Sequence, residues 1–513
     1  MKIRLLFSTL RYLKPIQFFY RLKNKMSKGR IRKCDNVYFK KTDLFIDGLH
    51  NNKLYLSRFL INGNSVDLLN QFVELDFSEL SKYPPLIRFN AEYFEYAIVW
   101  AQKGVSFDFF KKNWLNYLNA KLPLQPYVIS LQIPNILIAL EIFGVDDHEV
   151  YDELYSRYRW LLKHQEKHLL ANHYFENLKA IVISSYLFDE EKVFKKYVKK
   201  LKKECCEQIL KDGVLFELSL MYHKLILEDL LLVNRLFKAD WLTNKISAML
   251  NAVFSLENGF NRTPLFNDAG DNVAKPTESL VIACKQELGI EPVFQNVFLN
   301  SGYYKIQNEN TSVLIDAGLI GPNYNPGHSH CDCLSFELSF KNEPLFVNSG
   351  TYQYQGDKRQ YFRSTKSHNT MMVLDHEQSE LWGEHRVGKR IKKVLGFLSN
   401  NEFRGSFVNQ YREKCFREIS LNGNRLCVLD SFSGIKHSNV AYSFLHLAPG
   451  YSYKGNKIVG RGQTFLLETI SCSVIEEESV YSPEFGVIEK NKCLVFSWKT
   501  DKEKHGYSII LSV

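Results

Sequence analysis

The chain has 513 residues, 45% hydrophobic and 24% charged, with 66 Lys and Arg against 56 Asp and Glu. That length exceeds one ordinary core and predicts two or three domains, and the composition excludes a disordered or collagen-like chain. The formal charge of +10 suits an anionic partner such as a polysaccharide or a lipid surface; no recognition motif for nucleic acid accompanies it, which sets that partner aside.

The opening segment, Met1 to Met26, mixes apolar residues with Arg4, Arg11, Lys14 and Arg21. These charges break the uninterrupted apolar stretch that a signal peptide needs. No run of 18 apolar residues occurs anywhere, so no transmembrane helix is expected. The segment reads either as a basic amphipathic helix lying on an anionic membrane surface or as a helix packed on its own domain. The ten cysteines form neither zinc-type pairs nor a disulfide framework. A reducing, cytoplasmic setting is therefore expected, with peripheral contact at the inner membrane face as the role of the basic segment.

From about residue 81 to 290, apolar residues recur at three- and four-residue spacing, in Val150–His164, Tyr174–Leu187, Glu191–Leu210 and Met221–Phe237. Short breaks separate these helices, which predicts antiparallel neighbours in a bundle or a toroid of helix hairpins. From about 296 the period changes. Ser312–Ala317, Leu334–Phe340, Pro344–Val347, Thr370–Leu374 and Arg425–Leu429 read as strands. Many strands without intervening helices predict an antiparallel β-sandwich. The expected division is a basic N-terminal segment (1–80), a helical domain (81–295) and a sheet domain (296–513).

Polar groups cluster in each half. Gly327-His328-Ser329-His330-Cys331-Asp332 leads into a strand, and in extended backbone both histidines project to one face. Such a pair can share a metal or divide metal binding from catalysis; His-x-His alone equally describes surface or core histidines. Ser367-His368-Asn369-Thr370 opens another strand. The helical half carries Asn172-His173-Tyr174-Phe175-Glu176-Asn177, where His173 and Glu176 share a helix face. It also carries Tyr222-His223 after a glycine break, which fits either a cavity or a core tyrosine. Most of the 37 Phe and 28 Tyr are expected in the core, with a minority lining a groove against sugar rings.

Taken together, these residues resemble the heparinase II/III-like polysaccharide lyases. Gly327 to Phe336 resembles that family's Gly-His-x-His-x-Asp-x-Leu-Ser-Phe signature, and Asn348-Ser349-Gly350-Thr351-Tyr352 its Asp-Ser-Gly-Thr-Tyr. Phe362-Arg363-Ser364-Thr365, Ser367-His368-Asn369-Thr370 and Gln378-Ser379-Glu380 follow in the family's order. The resemblance runs from about residue 90 to the end. The opening, around Thr9-Leu10-Arg11, is similar to relatives found in capsule or O-antigen gene clusters. The resemblance implies an α+β multidomain chain: an N-terminal (α/α) toroid followed by an antiparallel β-sandwich, with the active site between them. It implies Tyr222 and His328 as catalytic groups, and His173 and Glu176 as the pair that meets a uronate carboxylate. Asn172, Asn177, His223 and Arg363 are the expected substrate contacts. His330, Asn348 and His368 correspond to a metal site, often zinc. Three departures bear on function, one of them that Glu217 to His223, around the tyrosine, lacks the family's usual Gln-Ser-Pro pattern. Asn348 stands where the family has Asp, and an amide is a poorer Zn²⁺ ligand than a carboxylate, so any metal is expected to be structural and weakly held. Gln132 stands where relatives carry an Arg that would hold an acidic sugar.

The expected reaction is β-elimination on a uronic-acid-containing polysaccharide. A base removes the C5 proton, the site neutralises the carboxylate, and an acid protonates the leaving oxygen at C4. Protonated Glu176 would neutralise, His328 would be one base, and Tyr222 base or acid, its pKa lowered by neighbours such as His223. Tyr222 and His328 are expected on opposite sides of one sugar ring. The rival functions are a uronate C5-epimerase of polysaccharide biosynthesis and a non-catalytic glycan-binding protein.

Overall fold

Helices give way to strands where the apolar spacing changes. The computed structural model describes residues 2–26, 29–52, 56, 59, 61–257, 262–435, 438–500 and 503–511; Met1 of the basic opening segment lies outside them. Between residues 85 and 288 the chain winds back and forth in helices. Tyr96–Gln102, Pro126–Phe143, Ala171–Leu187, Leu220–Leu236 and Thr277–Leu288 are successive neighbours in an inner layer, and Phe107–Asn119, His148–Leu161, Glu191–Gln208 and Asp240–Leu256 alternate with them outside. Composition sorts the layers. Ala171–Leu187 is buried along nearly its whole length, whereas Glu191–Gln208 keeps only one buried stripe, including Tyr197, Leu201 and Cys205, beneath a lysine-rich face. Pro126–Phe143 has the length and hydropathy of a membrane span, unregistered in the sequence reading. It is an inner helix, with Ile133 and Ile136 fully buried.

Among the described residues, three larger antiparallel sheets follow, beside a two-stranded one of Leu381–Trp382 and Arg386–Val387. An eight-stranded sheet is built on the meander Lys392–Ser399, Glu402–Val408, Lys414–Asn422 and Arg425–Ser433. A five-stranded sheet centres on Thr311–Asp316 and Ser335–Phe340. A four-stranded sheet contains Met371–Val373, Val440–His446 and Glu489–Lys499. The two smaller sheets meet edge to edge at Phe346 and Leu447. Tyr304 against Phe403, Phe340 against Phe465, and Phe496 against Tyr507 pack that layer on the large sheet, as a sandwich core requires. A buried pair, Arg417 Nη2 to Asp430 Oδ2 at 2.8 Å, binds the layers, because Arg417 also donates to Leu334 O at 2.8 Å.

The N-terminal segment is not one unit. Lys2–Leu10 and Pro15–Met26 are helices, and Ser65–Leu68 with Gln71–Glu74 forms part of a small antiparallel sheet that the sequence did not foretell. That sheet's turn, Leu69-Asn70-Gln71, reaches the cleft between helices and sandwich.

Candidate active site

The site is assembled by a loop between the last two ring helices. Ser219 caps the helix Leu220–Leu236, accepting from Tyr222 N–H at 3.3 Å and donating to Asp268 O at 2.6 Å. Leu218, just before it, is held at φ +57°; its carbonyl accepts from Asn267 Nδ2 at 2.9 Å and from Tyr303 Oη at 2.6 Å. Asn267 then grips the sandwich: its Oδ1 accepts from His330 N–H at 3.0 Å, and its own N–H donates to Asp332 Oδ2 at 2.8 Å. The helix carrying Tyr222 and the turn carrying His328 are thus fixed to the same two residues.

Asp268 is the electrostatic hub. His328 Nδ1 lies 3.0 Å from Oδ2, His330 Nε2 lies 2.8 Å from Oδ1, and Arg359 pairs with both oxygens. Burial alone would raise this carboxyl, but Arg359 and the imidazoles hold it well below the ordinary carboxylate range. Because the carboxylate accepts a hydrogen bond from Nδ1–H of His328, Nε2 is left as the basic nitrogen. Glu217 Oε2 stands 4.0 Å from that nitrogen, and its carboxyl is raised by burial against the pull of His328.

The rings of Tyr222 and His328 are in contact, with centroids 4.1 Å apart. The Tyr222 hydroxyl lies 2.7 Å from that of Tyr354. Burial raises the Tyr222 phenol above its usual value, and the Tyr354 hydrogen bond opposes this only in part. Both residues line a cavity of about 690 Å³ between the ring and the sandwich, the size of a typical ligand site. Aromatic rings dominate its walls, among them Phe89, Tyr93, Tyr127, Tyr352 and Phe485. No Lys or Arg is among the described lining residues, which include His173, His328 and His385.

His173 and Asn172 also line this cavity. They follow Leu170 and Ala171, both at positive φ (+62° and +51°), a strained entry of the kind that collects at functional sites. His173 Nδ1 lies 3.1 Å from Glu166 Oε1. Burial works against its charge, but Glu166 outweighs it and the pKa is raised.

Several expected residues sit elsewhere. Glu176 does not pair with His173. It meets Lys179 Nζ at 2.5 Å, which also meets Asp229 at 2.6 Å, and it lines a smaller adjoining chamber. Asn177 is fully buried: its Nδ2 donates to Glu166 Oε2 and its Oδ1 accepts from Glu166 N–H, so it positions Glu166 and does not reach the cavity. His223 is a core residue between Leu215 N–H and Met249 O, its pKa lowered to about 4 by burial. It cannot act as a cationic neighbour of Tyr222. Arg363 is fully buried, its Nε donating to Ser329 O and its Nη1 to the carbonyls of Gly383 and Glu384. Gln132, also buried, bonds Glu92 O and Arg157. Nor can a sugar ring lie between Tyr222 and His328, since they already touch. Sequence reasoning missed Asp268, Arg359, Glu166, Glu217 and Tyr354. Asn267-Asp268 before Gly270 was the available signal, an acid in a connection long enough to cross between domains.

The metal expectation meets a different donor set. Among the described residues, His330 Nδ1 and His368 Nε2 are buried without partners, and ligand atoms of His330, Asp332 and His368 lie within 4.8 Å of one another. Asn348 Oδ1 is 2.8 Å from His368 Nδ1, the opposite nitrogen. Two imidazoles and a carboxylate suit Zn²⁺, with Asn348 behind His368 as an orienting partner.

Residues 137–279 match the family model for the heparinase II/III N-terminus, and residues 294–509 that for the heparinase II/III-like C-terminal region. Among solved structures, a heparinase III aligns at TM-score 0.69 and 16% identity, over 97% of this chain and 91% of its own. A mutant of the heparan sulfate lyase HepC from Pedobacter heparinus aligns at 0.59 and 16%, over 96% and 87%. The heparinase III BT4657 gene product aligns at 0.61 and 17%, over 85% and 77%. At these identities the likeness is one of fold: a helical toroid followed by a β-sandwich. No curated protein sequence matches. With both of its halves matched, the chain belongs to the heparinase II/III-like family.

Proposed function

We propose that the chain is a carbon–oxygen lyase that cleaves a uronate-containing acidic polysaccharide by β-elimination. The observation that carries this reading is the contact of Tyr222 with His328 on the wall of the aromatic cavity, with His328 oriented by Asp268. In that arrangement His328 Nε2 takes the C5 proton. The C5–H electron pair forms the C4=C5 double bond, the C4–O bond breaks, and the leaving oxygen takes the Tyr222 proton. A phenol kept neutral by burial suits the acid better than the base. The imidazolium can then return its proton to Tyr222, which it touches, so the site resets. Protonated His173, with Asn172 beside it, takes over the neutralising task expected of Glu176.

The geometry also bears on substrate and on the rival reaction. Tyr222 and His328 approach from one side, which fits a uronate whose C5 hydrogen and C4 oxygen share a face, as in the gluco configuration. An epimerase must return the proton to the opposite face, and the contact argues against it. Without Lys or Arg in the described lining, sulfate groups find no strong partner, so the preferred chain carries carboxylates and little sulfate. Zn²⁺ held by His330, His368 and Asp332 would be structural, tying the strand after His328 to the one after His368.

The test is incubation with unsulfated and sulfated glycans containing glucuronate or iduronate. Ultraviolet absorbance of the unsaturated product is read beside deuterium uptake at C5. Absorbance with the unsulfated glucuronate chain is expected. Uptake without absorbance means epimerase, and neither signal across the panel refutes the reading.

A further inference from the structure

Residues 1–34 contain eleven Lys and Arg and no Asp or Glu, whereas the whole chain holds 66 and 56. The entire positive excess therefore sits in this segment, and the rest of the chain is slightly acidic. Its two helices are oriented the wrong way round for a soluble surface. On Pro15–Met26 the polar side faces the protein: Gln17 is 1% exposed and donates to Leu169 O, and the Tyr20 hydroxyl accepts from Lys167, while Lys14, just before the helix, pairs with Glu207. Phe19 and Leu22, three residues apart on the outer side, are 62% and 67% exposed. Lys2–Leu10 repeats the arrangement. Ser8 reaches Glu380 and Thr9 accepts from Trp382 Nε1, while Phe7 is 74% exposed. Around this apolar face stand exposed Arg11, Arg21 and Lys23, which form no ion pair among the described residues.

We infer that the two N-terminal helices dock the enzyme on an anionic lipid bilayer, inserting Phe7, Phe19 and Leu22 among the acyl chains while the basic residues meet the headgroups. Aromatic and leucine side chains on one face with cations at its margin are the pattern of an interfacial helix. The all-basic composition names the partner's sign, and the inward hydrogen bonds remove the alternative that the apolar face turns back on its own domain. Docking would also place the catalytic cavity. Gln17 lies against Leu169 and Tyr324, and Leu169 and Asn325 line the cavity, so its rim would face a glycan held near the membrane.

The test is co-sedimentation of the full chain with vesicles of phosphatidylcholine alone and with phosphatidylglycerol added, beside the solution molar mass. Binding to the phosphatidylglycerol vesicles only is expected. It should fall by about tenfold or more in Phe7→Ser/Phe19→Ser/Leu22→Ser and in Arg11→Glu/Arg21→Glu/Lys23→Glu, with unchanged thermal midpoints because all six side chains are exposed. Absence of binding at low salt overturns the inference. So does binding that the serine variant retains in full, which would be charge attraction alone. A dimer that the serine variant converts to monomer, without vesicle binding, would make this face a contact between copies and also overturn it.

Discussion

His328 Nδ1 stands 3.0 Å from Oδ2 of Asp268, a carboxylate contributed by the helical half to a histidine of the sandwich. The bond fixes the tautomer, so Nε2 is the nitrogen that faces chemistry. It also shares its carboxylate with Arg359 and His330. Asp268→Asn should therefore act twice. Loss of the correct tautomer should lower turnover by about three orders of magnitude or more. The guanidinium of Arg359, fully buried, would lose its counter-charge at a cost of about 3–5 kcal/mol. Urea denaturation and the absorbance assay read the two effects separately. A variant within tenfold of the parent in turnover would remove Asp268 from the mechanism.

A pH dependence follows from His173 and Glu166. The folded pKa of His173 lies above its ordinary value of 6.5. Its pairing with Glu166 thus stabilises the fold fully below pH 6.5, and that contribution is lost as pH rises through the folded value. Substrate binding should follow the same titration, since the cavity has no other strong cation in its described lining. KM should rise with pH through this range, and Glu166→Gln should move the rise to lower pH. KM that is flat across the titration would show that the carboxylate is held by something else.

What the sequence disclosed, and what it withheld, follows from the range of each interaction. Periodicity is local, so the helix Leu220–Leu236 and the strand Ser335–Phe340 were legible within a residue or two. His328 and Tyr222 stood out because they lie in motifs with a fixed order. Glu176 misled because helical spacing fixes only which residues share a face, not which partner another helix offers. Lys179 and Asp229 claimed Glu176, and Glu166 claimed His173. Asp268 was invisible for the complementary reason: its partners lie 60 and 91 positions away, in another domain.

The donor set around His330 yields a prediction about metal. The unpartnered nitrogens are His330 Nδ1 and His368 Nε2, and Asp332 completes the group, whereas Asn348 occupies the other side of His368. Protein stripped with a chelator should take up one equivalent of Zn²⁺ and gain thermal stability. Asp332→Asn should weaken binding by about tenfold to a hundredfold or more, and Asn348→Ala by less than Asp332→Asn. Titration followed by calorimetry distinguishes them. If Asn348→Ala abolishes binding while Asp332→Asn leaves it intact, the amide is the ligand after all.

Tyr222 gives the sharpest test, because its hydroxyl is chemically separable from its packing. The ring rests on His328, and among the described residues the hydroxyl bonds only the Tyr354 hydroxyl, 2.7 Å away. Tyr222→Phe keeps the ring contact and frees a hydroxyl that already lines the cavity, so stability should change by no more than about 1 kcal/mol. Without the proton for the C4 oxygen, turnover should fall by about 10²–10⁴-fold. KM should hardly move, since the loss falls on the bond-breaking step. Tyr354→Phe should behave differently. It removes the hydrogen bond that partly offsets burial, so Tyr222 remains an acid with its pKa higher still. A modest drop in turnover is expected, with the shape of the pH profile unchanged because Tyr222 stays protonated throughout, read from kcat against pH for both variants. Should Tyr222→Phe keep full turnover on a substrate that the parent cleaves, the acid is another group, and the contact with His328 is packing.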